Sequence, residues 1–111
     1  MQPNKKIETI IDFLEKEIKI DVFTNQVRIA YVLYQALNDY DEFMNNNNRR
    51  FLKKTFFTYQ SISYDYQTTY GAFERSIYRY IENLLTDDFV DLHKSINDLV
   101  LKFRKQYGWE W

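Results

Sequence analysis

Apolar residues recur at three- and four-residue intervals along most of this chain, and that period predicts helices. Ile7, Ile10, Ile11, Leu14 and Ile18 form the first stripe. Pro3 suits a helix start, and the pairs Asp12 with Lys16 and Glu15 with Lys19 are favourably ordered on exposed positions, so a helix is expected over about 4–19. Thr24 can cap a second helix over 25–44. Its apolar side chains fall into two adjacent stripes: Val27, Ala30, Tyr34, Leu37 and Met44, then Ile29, Val32, Ala36, Tyr40 and Phe43. The polar strip is left to Arg28, Gln35, Asn38, Asp39 and Glu42. So wide an apolar arc marks a helix contacted from two sides, the expected centre of the fold.

Asn45 to Asn48 read as a loop, because Asn competes for backbone hydrogen bonds and tolerates left-handed turns. The next stretch is ambiguous. Phe56, Thr58, Gln60, Ile62, Tyr64 and Tyr66 can be read with period two, which would make a hairpin within 54–70 and an α+β fold. Against this, Leu52, Phe56, Tyr59, Ser63 and Tyr66 keep helical spacing, and no turn dipeptide interrupts them. A helix over 49–66 is therefore expected. Tyr70, Phe73, Ile77, Ile81 and Leu84 predict a fourth helix over 69–85. Thr86, Asp87 and Asp88 suit the N-terminus of a fifth, over 87–107, with Phe89, Leu92, Ile96, Leu99 and Phe103 inward and a stop at Gly108. The fold class that follows is all-α, a single-domain bundle of four to five helices over residues 1–111. No internal repeat or long linker divides the chain.

Composition narrows the functional classes. The hydrophobic share is 45%, enough for one core at 111 residues. Fifteen Lys and Arg face 16 Asp and Glu, for a net charge of −1, which supplies no overall field for nucleic acid or anionic lipid. Cysteine is absent, which removes thiolate chemistry and disulfides and fits a reducing compartment. The N-terminal residues carry charges through the first apolar positions, and no apolar run reaches the ~20 residues a bilayer requires. A cytoplasmic location is expected.

Catalytic chemistry is hard to assemble from these residues. His93 is the one histidine, and flanking an apolar helical stripe it reads as a structural residue with one hydrogen bond. Asp87, Asp88 and Asp91 lack the spacing and glycine of a calcium loop, so capping accounts for them better. Asp39, Asp41 and Glu42 read as a solvated helix end. Phosphate-loop, zinc-protease and serine-hydrolase motifs are missing. The expectation is a protein that is not an enzyme and uses neither metal nor cofactor.

The residues with most functional content lie on the third helix. There Arg50, Lys53, Phe57 and Tyr64, with Lys54 at the margin, share the face opposite Leu52, Phe56, Tyr59 and Ser63. Aromatic and arginine side chains are enriched where proteins dock, which makes this face a candidate protein-binding surface. The same residues admit a second reading as a small nucleic-acid-binding regulator, with Arg49, Arg50, Lys53 and Lys54 on phosphates and Phe57 or Tyr64 stacked on bases. A self-complementary face would instead give a homodimer. Trp109 and Trp111 at the C-terminus are further candidates, docking on the bundle or on a partner. Size and helix pattern resemble small bundles that act as bacteriocin immunity proteins, phage-encoded inhibitors and adaptors, an analogy of architecture alone. The abundance of Asn, Lys, Ile, Tyr and Phe fits a low-GC bacterial or phage genome.

Overall fold

The computed structural model describes residues 5–17, 23–45, 48–62, 68–84 and 91–108, and six helices account for nearly all of these. They are α1 (Lys5–Glu17), α2 (Phe23–Asn38), α3 (Tyr40–Asn45), α4 (Asn48–Ile62), α5 (Tyr70–Leu84) and α6 (Leu92–Tyr107). No strand occurs among the described residues. The chain is an all-α bundle: α4 is helical over 54–62, the first part of the stretch where a hairpin was the alternative, while 63–67, including the end of the helix expected over 49–66, lie outside the described residues. Its Cα radius of gyration, 13.0 Å, is that of a folded chain of about 100 residues.

Helix α2 lies at the centre. It packs against α1, α3, α4, α5 and α6, and Ile29, Ala30, Val32, Leu33 and Ala36 are wholly buried. The wide apolar arc read from the sequence thus serves several neighbours at once. From α1 come Ile7, Ile10, Phe13 and Leu14, from α5 Phe73, Ile77, Tyr80 and Ile81, and from α6 Leu92, Ile96, Leu99, Val100 and Phe103. Edge-to-face contacts tie these layers together. Phe13 meets Phe103 at 5.3 Å between ring centres, and Tyr31 meets Tyr59 at 5.2 Å.

Three boundaries differ from expectation. The helix predicted over 25–44 starts at Phe23, which puts Thr24 inside the helix, and it divides at Asp39. The Asp39 carboxylate accepts the backbone amide of Glu42 at 3.2 Å, as an N-cap would, so α3 begins as a new helix. The last helix starts at Leu92 and not at 87. Asp91 has extended backbone angles, φ −91° and ψ 95°, and its side chain caps the Lys94 amide at 3.1 Å. Thr86, Asp87, Asp88 and Phe89 lie outside the described residues. Thr69 caps α5 through the Ala72 amide at 3.1 Å, close to the expected start. At the far end of α6, Gly108 takes φ 92°, a conformation natural only to glycine, and its amide closes on the Arg104 carbonyl at 2.8 Å.

Candidate functional site

The two faces of α4 differ sharply. Phe51, Leu52, Thr55, Phe56 and Tyr59 are buried, and the Thr55 hydroxyl is satisfied by the Phe51 carbonyl at 3.0 Å. Arg50, Lys53, Lys54 and Phe57 point to solvent together, as helical spacing requires of positions three and four apart. Phe57 is 66% exposed, the most exposed large apolar side chain among the described residues. Four cations, Arg49, Arg50, Lys53 and Lys54, crowd the first half of a helix that contains no acid.

Neighbouring helices hold this strip in shape. Lys54 pairs with Glu42 of α3, and the Lys53 ammonium sits 5.8 Å from the centre of the Tyr70 ring of α5. The Tyr70 hydroxyl donates to Glu74 at 2.8 Å and lies 3.4 Å from the Arg49 carbonyl oxygen. Burial and the bond to Glu74 push its pKa up to about 12. On the other border, Asp39 is held below the usual carboxylate range by its side-chain bond with Glu42, then by the Glu42 amide, with a smaller pull from Lys54. The strip is therefore cationic along its middle and edged by carboxylates on both sides.

Other predicted site residues fall differently. Tyr64, Trp109 and Trp111 lie outside the described residues. Tyr107, just before them, stacks on Phe103 with ring centres 4.6 Å apart and stays 40% exposed. His93 lies parallel to the Phe43 ring at 4.4 Å, with Nε2 3.3 Å from the Phe43 carbonyl oxygen, the single hydrogen bond expected of it. Asp91 is spent as a cap. Among the described residues no cluster of His, Cys, Asp and Glu could hold a metal ion, and no helix is long and apolar enough to cross a membrane. A shallow hollow of about 260 Å³ lies along α5, lined by Glu74, Arg75, Tyr78, Arg79 and Glu82. One helix supplies its whole wall, and its charges balance.

Sequence reasoning missed one polar centre. Arg28, assigned by pattern to the polar strip of the central helix, is instead half-buried where α2, α4 and α5 converge. Its guanidinium donates to the Ser76 hydroxyl, to Thr68 Oγ1 at 3.1 Å and to the Ala72 carbonyl at 3.3 Å, and it reaches the Tyr59 hydroxyl at 3.5 Å. The planar fork suits several neutral acceptors at once. The available cue is that Tyr31 and Val32, one turn further on the same side of α2, are apolar. Through these bonds Arg28 ties α2 to the start of α5. No protein-family description matches the chain, and comparison with curated proteins and with solved structures yields no significant match.

Proposed function

We propose that this chain is a non-enzymatic protein-binding module of the inhibitor, immunity or adaptor kind, which occupies a partner protein in the cytoplasm through the aromatic and basic face of α4. The observation that carries this reading is Phe57, 66% exposed and set beside Arg50, Lys53 and Lys54 on a helix whose opposite face is fully buried. Leaving a phenylalanine in water forgoes about 2 kcal/mol of burial that a partner can recover. The cations around it steer approach and fix register. Their stems are oriented beforehand by Glu42 and Tyr70, which lowers the ordering cost of binding.

The test is affinity purification of the tagged chain from its native host, beside the variant Phe57→Ala with Lys53→Ala. One protein should co-purify with the wild type and be lost with the variant. Because both side chains are exposed, stability should stay within about 0.5 kcal/mol by urea denaturation. A variant that keeps the partner, or one that unfolds easily, refutes the reading.

A further inference from the structure

Resting on α4 as the docking face, we infer that its occupant is an acidic, amphipathic helical segment of the partner protein, with carboxylates one turn apart and an apolar position that receives Phe57. Charge is the first ground. Four of the chain's 15 cations stand in α4 without a single acid, so the rest of the chain holds eleven cations against 16 acids, a net charge of −5. The strip is a local reversal of sign on an acidic molecule, and its complement is anionic.

Spacing is the second ground. Arg49 and Lys53, and likewise Arg50 and Lys54, stand four residues apart, roughly 6 Å along the helix axis. Carboxylates at i and i+4 of a facing helix repeat with the same rise, so both cation pairs can be met in one register. Phe57 follows Lys53 by one further turn, where an apolar position of the facing helix arrives.

The borders decide between occupants. From Arg49 to Lys54 the strip is about 8 Å long, which spans only two or three phosphates of one nucleic-acid strand. A strand continuing past either edge runs toward Asp39 and Glu42, or toward Glu74, and meets like charge. A compact acidic segment ends before those edges. A second copy of this chain laid twofold on the same face would set cation against cation.

The test uses three probes: a short helical peptide with glutamates at i and i+4 and leucines on its other side, the same peptide with glutamine for glutamate, and a single-stranded oligonucleotide. Amide chemical shifts of the full chain report where each binds. The acidic peptide should shift α4 resonances, lose at least tenfold in affinity with Arg50→Glu plus Lys53→Glu, and weaken several-fold between about 50 and 200 mM salt. Lys53→Glu alone, at an exposed position whose one described contact is the Tyr70 ring, serves as the second arm if the double variant melts early. The inference is overturned if the glutamine peptide binds equally, if neither peptide reaches α4, or if the oligonucleotide binds more tightly. It also falls if light scattering shows a dimer that charge reversal abolishes. Should a co-purified partner depend on Phe57 yet ignore charge reversal and salt, the acidic occupant is wrong while the docking face stands.

Discussion

Replacing Tyr80 by phenylalanine should stabilise this protein, the opposite of what most core substitutions do. Tyr80 is wholly buried on α5, and its hydroxyl finds no hydrogen-bond partner among the described residues. Burying a hydroxyl unpaired costs about 1–3 kcal/mol, and phenylalanine keeps the ring and its packing while removing that cost. Loss of one oxygen's contacts returns a few tenths of a kcal/mol. The net gain is about 1–2 kcal/mol, which corresponds to roughly 4–8 °C in Tm at this chain length. Burial, with the charge of Glu17 second, also pushes the Tyr80 pKa up. The folded hydroxyl therefore holds its proton where the unfolded one, near 10, has lost it, and the wild type loses stability as pH climbs past about 10. Tyr80→Phe lacks that loss, so its advantage should widen at alkaline pH. Urea denaturation followed by far-ultraviolet circular dichroism, at neutral pH and at about pH 10.5, measures both effects. Destabilisation by 1 kcal/mol or more, with an unchanged denaturant slope, would show that the hydroxyl is bonded in the folded protein.

Two further outcomes are expected. Arg28→Met keeps the buried stem but removes the bonds to Ser76, Thr68 and Ala72, and should cost about 2–3 kcal/mol, with Arg28→Lys recovering only part because a point donor reaches fewer acceptors; a cost below 0.5 kcal/mol for the Met variant argues against the tie. Alkaline titration followed by tyrosinate absorbance should show a late group that includes Tyr70, near 12, with Tyr78 and Tyr80 raised as well, burial being the leading cause in all three; folding free energy contributed by these phenols is complete below pH 10 and lost as pH rises toward 12. Ten tyrosines titrating together near 10 with helicity intact would contradict this.

Much of the candidate site was legible before folding. The spacing of Arg50, Lys53, Lys54 and Phe57 assigns them to one side of a helix, and the opposite side carries Leu52, Phe56 and Tyr59, which only a core can satisfy. The acidic borders were not legible. Glu42 and Glu74 reach the strip from helices on either side in sequence, and no local pattern states which surfaces those helices share.

Helix class and facing are local properties, and period alone determined them here, together with the central place of α2. Features made where several helices converge depend instead on packing between distant parts of the chain. Arg28 stands on the polar strip by pattern, yet its partners Tyr59, Thr68, Ala72 and Ser76 lie 31 to 48 residues further along the chain. Tyr80 becomes a fully buried phenol because α5 packs against α2, α4 and α6. Asp39 and Asp91 end and begin helices through a carboxylate that turns back on its own backbone. Periodicity reports which side of a helix is apolar; the depth of a residue, and the partners its polar atoms find, depend on how many other helices arrive there.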